Sequence, residues 1–336
     1  MPNVAINGLG RIGRAALRIL TEQDGIDVVA VNDIAPADNL AYLLGYDSTY
    51  GKWGHEVTSS SDALLIDGKR LPIFAERDPA ALPWKDLGVD LVLECTGVFT
   101  AAEDLRKHLD AGSRFAILSA PTKSPDLPTV VHGVNSPEGD VRMFSCASCT
   151  TNAIGPVIEV LHRRIGVQDA LMTTVHAYTA SQAMVDGPSK NLRMGRAGAV
   201  NMIPTSTGAA IATTKAIPEL RDHFDGVSIR VPVPVGSIAD IVFIAERDTS
   251  VEEVNGALEQ EAATDRYQGV LGYSTAPLVS SDIIGDARGS IVDADLTRVI
   301  GGRLVKVMAW YDNEWGFTNQ MIRQARQLLG VDPVLD

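Results

Sequence analysis

Residues 4–14 read Val4-Ala5-Ile6-Asn7-Gly8-Leu9-Gly10-Arg11-Ile12-Gly13-Arg14. An apolar run closes on glycines and opens into a segment with apolar residues at Ala15, Leu17, Ile19 and Leu20, the spacing of a helix. Buried strand, glycine turn and helix in that order are what a dinucleotide-binding unit needs. Gly8 permits the tight turn, Gly10 lets the backbone approach a pyrophosphate, and Gly13 lets helix and strand pack closely. The helix N-terminus adds N–H groups and the positive end of its dipole. Asp33 closes the next strand about 20 residues past Gly13, where an acid accepts hydrogen bonds from ribose hydroxyls. Its charge would repel a 2′-phosphate, so NAD is expected rather than NADP.

Working outward, further strand-like runs stand at Leu91-Val92-Leu93, Phe115-Ala116-Ile117-Leu118 and Thr129-Val130-Val131, with helix-like segments such as residues 101–111 between several of them. That alternation argues for a parallel sheet with helices on its faces. Within residues 64–74 the pair Asp67-Gly68 separates two apolar runs and signals a hairpin. The chain has 336 residues, a length that suits two domains, and 45% apolar residues, enough for ordinary cores. A formal charge of −13 disfavours nucleic acid and anionic membrane as partners. No stretch approaches the roughly 20 apolar residues that span a bilayer, and no secretory signal is evident. A local basic cluster, Lys190, Arg193 and Arg196 within "GPSKNLRMGRAG", could still hold a small anionic substrate.

The second half opens on "FSCASCTTN", residues 144–152, with two of the chain's three cysteines. So few cysteines suit a reducing cytosol and exclude a disulfide framework. Apolar residues at Ile154, Val157, Ile158, Leu161 and Ile165 form one helix face, with Ser148 and two threonines placed as capping residues. Cys149 is therefore expected at a helix N-terminus, where the dipole favours the thiolate. Three readings compete for Cys146 and Cys149: a C-x-x-C redox pair, half a metal site, or one nucleophile with a bystander. The six histidines show no short-spaced pairing, so no metal is expected. A nucleophilic Cys149 needs a histidine from elsewhere, and His176 ends a strand over residues 170–175. Runs at residues 227–233 and 238–245 read as neighbouring antiparallel strands, residues 302–312 as another, and residues 317–329 as an amphipathic helix. The expected fold is an α/β Rossmann dinucleotide-binding domain followed by an α+β catalytic domain with a mixed or antiparallel sheet.

The segments "INGLGRIGR", "SCASCTTN", "TTVHAYTASQ", "IPTSTGAA", "IRVPVPVGS" and "WYDNEWGF" together resemble phosphorylating glyceraldehyde-3-phosphate dehydrogenases, in order from about residue 3 to residue 325. The resemblance implies an NAD-binding domain over residues 1–148, with a C-terminal helix at 316–336 packing back on it, and a catalytic domain over 149–315. It implies Cys149 as nucleophile and His176 as acid–base group. It places Gly8, Gly10, Arg11, Ile12, Gly13, Asp33, Arg77, Thr96 and Ser119 at cofactor contacts, with Asn313 orienting the nicotinamide. Ser148, Thr150, Thr207, Gly208 and Arg230 match one phosphate pocket, and Thr179 and Arg196 the other. Residues 178–201 match a loop that lines a neighbouring subunit's cofactor site. A cytoplasmic homotetramer is implied, converting a phosphorylated aldehyde and inorganic phosphate to 1,3-bisphosphoglycerate through a cysteine thiohemiacetal and thioester. Three departures stand out: Cys146 in place of Asn, Phe317 in place of Tyr, and Met194-Gly195 in the loop. Pro188, whose replacement often accompanies NADP use, is present. The rivals are an erythrose-4-phosphate dehydrogenase on the same scaffold, a Cys146/Cys149 thiol switch, and an NAD-binding protein without turnover.

Overall fold

The computed structural model describes residues 1–137 and 139–334. Residue 138 of the expected first domain and residues 335–336 of the expected C-terminal helix lie outside the described residues. The chain forms two compact units, Met1–Val130 with Ser136–Ala147 and Met321–Asp336, and Val131–Asn135 with Ser148–Gln320.

In the first unit β1 (Asn3–Asn7), α1 (Arg11–Thr21) and β2 (Asp27–Asn32) are followed by α2 (Ala37–Gly45) and a short ribbon of β3 (Tyr46–Asp47) and β4 (Gly51–Lys52). Then come β5 (Val57–Ser59), β6 (Ala63–Ile66), β7 (Lys69–Phe74), β8 (Leu91–Glu94), α3 (Ala102–Asp110), β9 (Phe115–Leu118) and β10 (Met143–Ser145). The sheet order is β10-β9-β8-β1-β2-β7-β6-β5. It is parallel from β10 through β7 and antiparallel beyond. The chain leaves β1 toward β2 on one side and returns to β8 on the other. That switch point opens a crevice at the strands' carboxyl ends, where dinucleotides bind in such folds. Val4, Ala5 and Ile6 are fully buried, as a strand covered on both faces requires. Asp67 (φ 48°) and Gly68 (φ 76°) make the tight turn between β6 and β7, as the Asp-Gly pair predicts. The expected strand at residues 129–131 does not form. Thr129 makes one bridge to Ser145, and then the Val131 N–H turns to the Asn135 side chain at 2.8 Å.

In the second unit α4 (Cys149–Arg164) precedes β11 (Val167–Ala177), β12 (Ile203–Ser206), α5 (Ala209–Ala216), β13 (Phe224–Val231) and β14 (Ser237–Ala245). α6 (Val251–Ala262), β15 (Leu271–Ser274), β16 (Ser290–Ile300), β17 (Leu304–Tyr311) and α7 (Trp315–Leu328) complete it, the last turns of α7 counting with the first unit. The mixed sheet runs β12-β13-β11-β14-β17-β16-β15. β13 and β14 are thus not the antiparallel neighbours expected. β11 lies between them, parallel to β13 and antiparallel to β14. The intervening β12 and α5 supply the crossover that a parallel pairing needs. Ile154, Val157, Ile158 and Leu161 of α4 are fully buried in one core with Ile241, Phe243, Val305 and Val307 of the sheet.

Candidate active site

Ser148 is the extended N-cap of α4, and its Oγ accepts the Thr151 N–H at 3.1 Å. That cap starts the helix at Cys149, with no acidic residue in its first turn to oppose the dipole. Cys149 Sγ lies 3.3 Å from His176 Nε2 and 4.0 Å from Thr150 Oγ1. His176 reaches this position because β11 carries it to the end of the sheet, where it sits in register with Arg230 of the parallel β13. Arg230 Nη1 stands 2.7 Å from His176 Nδ1 and donates to the Ala177 carbonyl at 3.1 Å. Nδ1 also lies 2.7 Å from that carbonyl. When Nδ1 carries the proton and donates to Ala177 O, Nε2 offers its lone pair to the thiol; when Nδ1 accepts from Arg230, Nε2 carries the proton.

Burial, with the nearby Arg230 charge, pushes the His176 pKa down to about 3. The imidazole is therefore neutral at neutral pH and able to take a proton. The half-buried Cys149 thiol is pushed up by burial, while Arg230 and the Thr150 hydroxyl and backbone pull it back. Burial is the largest of these influences, so the thiol waits on a base to take its proton.

Tyr311 packs beside this pair. Its ring meets His176 edge-on at 5.9 Å, and its buried hydroxyl lies 2.9 Å from Thr150 Oγ1 and 2.7 Å from Thr174 Oγ1. The segment "WYDNEWGF" contains Tyr311, but nothing local marks it as a partner of Thr150, 161 positions away. Tyr311→Phe is expected to cost about 1–2 kcal/mol by leaving two buried threonine hydroxyls without this partner. Urea denaturation should register it as a lower midpoint at unchanged slope; an unmoved midpoint would show that the bridge carries no stability.

Asn313 follows β17, and its Oδ1 accepts from Gly236 N at 3.2 Å and Ser237 Oγ at 3.0 Å, which fixes the amide's orientation. Thr207 Oγ1 accepts the Ala209 N–H at 3.2 Å, and Gly208 caps α5. The basic loop is less free than its composition suggests. Exposed Arg196 pairs through Nε with Asp186 at 2.8 Å, an acid just outside the stretch. Thr179 Oγ1 contacts Ser181 Oγ at 2.9 Å. The structure thus joins Cys149, His176, Arg230 and Thr150 directly, and leaves Thr179 and Arg196 with other partners. Cys146 is fully buried with Sγ 3.1 Å from the Leu118 carbonyl, and burial drives its thiol well above the usual range. Among the described residues no group of three or more His, Cys, Asp or Glu could hold a metal, and no helix is long and apolar enough to cross a membrane.

In the first unit the glycine turn fits a dinucleotide. Gly8 has φ +94°, and a Cβ there would lie 2.7 Å from Thr96 N. A Cβ on Gly13 would lie 1.9 Å from the Gly8 carbonyl oxygen, so helix and strand approach as closely as the fingerprint demands. Space beside Gly10 is open, and α1 begins there with no side-chain cap and no acid in its first turn. Asp33 accepts the Leu9 N–H at 2.7 Å and the Ala35 N–H at 2.9 Å, which holds its carboxylate beside the turn. Ile12 is half-buried, and Arg11 forms an ion pair with Asp47. Thr96 and Ser119 follow β8 and β9 at the same carboxyl edge, and Arg77 is exposed in the loop after β7.

Comparison with known proteins places both halves. The family model described as "Glyceraldehyde 3-phosphate dehydrogenase, NAD binding domain" matches residues 2–102, and that for the C-terminal domain matches residues 148–313. A glyceraldehyde-3-phosphate dehydrogenase of Kitasatospora aureofaciens is 51% identical over 326 residues, 96% of this chain and 97% of that protein. One from Thermotoga maritima is 49% identical over 333 residues, 98% of this chain and 99% of that protein. One from Zymomonas mobilis is 48% identical over 329 residues, 97% of this chain and 98% of that protein.

Proposed function

The chain belongs to the glyceraldehyde-3-phosphate dehydrogenase family, and on that premise we propose that Cys149 and His176 carry its reaction. The protein is an NAD-dependent oxidoreductase that oxidises glyceraldehyde 3-phosphate and phosphorylates the product. The observation that carries the residue assignment is the 3.3 Å approach of Cys149 Sγ to His176 Nε2 at the start of α4.

Cys149 Sγ attacks the aldehyde carbon as its proton passes to His176 Nε2, which returns it to the carbonyl oxygen and leaves a thiohemiacetal. The glycine turn and Asp33 would hold NAD, which would supply the hydride acceptor, and Asn313 is assigned to its nicotinamide amide. His176 takes the hydroxyl proton again as the carbon–hydrogen bond breaks, and Cys149 is left as a thioester. The Cys149 backbone N–H at the helix start opposes charge building on the oxygen. Inorganic phosphate then attacks the thioester carbonyl, giving 1,3-bisphosphoglycerate and releasing Cys149 sulfur, which recovers its proton from His176. Arg230, with Ser148, Thr150, Thr207 and Gly208, is assigned to one phosphate, and Thr179 and Arg196 to the other. Arg196 must leave Asp186 to serve this role, an exchange that costs little because the pair is exposed.

NADH formation from glyceraldehyde 3-phosphate is expected to depend on added phosphate. It should fall sharply when NADP replaces NAD, because Asp33 is assigned to the ribose hydroxyls, where its charge would repel a 2′-phosphate. Equal rates with the two cofactors would remove Asp33 from that role. Neither the erythrose-4-phosphate nor the thiol-switch reading is favoured, since the relatives above are named for the triose enzyme and Cys146 is buried away from solvent.

A cytoplasmic homotetramer is the assembly we propose. One face of the second unit's sheet leaves Leu171, Val227, Ile244 and Leu304 exposed, between 40% and 66%, which suits burial against another copy. Light scattering should give the mass of four chains of 35.8 kDa; a monomer would refute this assembly.

A further inference from the structure

Glu94 ends β8 without solvent exposure, and the reaction above gives it no task. Its carboxylate is met by donors on both oxygens. Oε2 accepts from Asn7 Nδ2 at 2.5 Å and faces His108 Nε2 at 3.0 Å. Oε1 accepts the Thr96 N–H at 2.8 Å and the Thr96 hydroxyl. His108 is itself fully buried, and its Nδ1 accepts the Trp84 indole N–H at 3.1 Å. That bond fixes the tautomer with the proton on Nε2, pointing at Glu94.

The other end of this network reaches the cofactor turn. Thr96 N is the atom that a Cβ on Gly8 would strike, so the Thr96 backbone is one wall of the turn. Asn7 immediately precedes Gly8, and its Oδ1 accepts from Asn32 Nδ2 at 2.7 Å. Asn32 in turn exchanges two hydrogen bonds with the Glu76 backbone, at 2.8 and 2.9 Å. One buried carboxylate thus ties the carboxyl ends of β8, β1 and β2 around Gly8. We propose that Glu94 is a positioning residue for the NAD site: by holding Thr96 and Asn7 it sets the shape of the Gly8 turn, and His108 with Trp84 holds Glu94 in turn.

The proposal rests on the assignment of this turn to NAD, and direct titration of the enzyme with NAD separates the two. Wild-type protein that fails to bind NAD overturns that assignment and the proposal with it. With wild-type binding secured, Glu94→Gln turns an amide NH2 toward existing donors, and the NAD dissociation constant should rise at least about tenfold. The KM for NAD should rise with it, while kcat at saturating NAD stays within about twofold. A second pair covers the case in which Glu94→Gln does not fold. In His108→Gln the amide supplies both a donor to Glu94 and an acceptor for Trp84, so NAD affinity should stay within about twofold of wild type. In His108→Leu both bonds are lost, and affinity should fall at least about fivefold. Unchanged NAD affinity in Glu94→Gln, or equal affinities in the two His108 variants, would overturn the role given to Glu94.

Discussion

Cys149→Ala is expected to lower kcat by at least about ten-thousandfold, because the scheme has no covalent intermediate without the sulfur. The fold should survive. The side chain is half-buried, and its loss removes the contact with His176 Nε2 and a weak one with Thr150 Oγ1. NAD affinity should persist, since the glycine turn and Asp33 are untouched. Cys146→Ala is the matched control. It removes a fully buried thiol whose Sγ meets the Leu118 carbonyl, so it should cost some stability and leave turnover near wild type. Rapid-mixing measurements of NADH in the first turnover decide the matter. A Cys149→Ala enzyme that keeps a hundredth of wild-type activity, or a Cys146→Ala enzyme that loses activity as Cys149→Ala does, would end the assignment of the nucleophile.

What the sequence disclosed was local. The strand–glycine–helix order at residues 4–14, the Asp67-Gly68 turn and the capped start of α4 all depend on neighbours within a few positions, and each stands in the structure as expected. Strand partnership depends on contacts far along the chain. Nothing in the apolar runs that became β13 and β14 reveals that β11 separates them. The same limit governs the site. Cys149 and His176 are visible as residue types at element ends, but the placement of Arg230 against His176 comes from register between parallel strands. The Arg196–Asp186 pair joins residues ten positions apart, the acid lying one residue before the basic stretch, and composition alone does not show that the loop folds back to bring them together. Glu94 carries no motif at all; only the surrounding donors of Asn7, Thr96 and His108 single it out.

His176→Asn should reduce kcat by about a hundred- to ten-thousandfold, the usual worth of a general base, and slow alkylation of Cys149 by iodoacetamide alongside it. Both effects follow from one geometry. With the thiol raised by burial, the nucleophile forms only as its proton leaves, and Nε2 at 3.3 Å is the acceptor within reach. An asparagine amide offers no comparable base. The same variant should alter acid stability in a predictable direction. The folded protein holds the His176 pKa near 3, below its ordinary 6.5, so between these values the unfolded chain binds more protons. Stability from this residue is therefore complete above pH 6.5 and is lost as pH falls toward about 3. His176→Asn removes that titration, and its stability should fall less steeply than wild type across the same window. The two readouts test different parts of the assignment. A flattened acid profile with an unchanged alkylation rate would leave His176 buried and neutral yet uncoupled from the thiol, confining its role to the hydroxyl proton of the hydride-transfer step. Loss of both together requires the imidazole to serve Cys149 before the substrate is oxidised as well as during it.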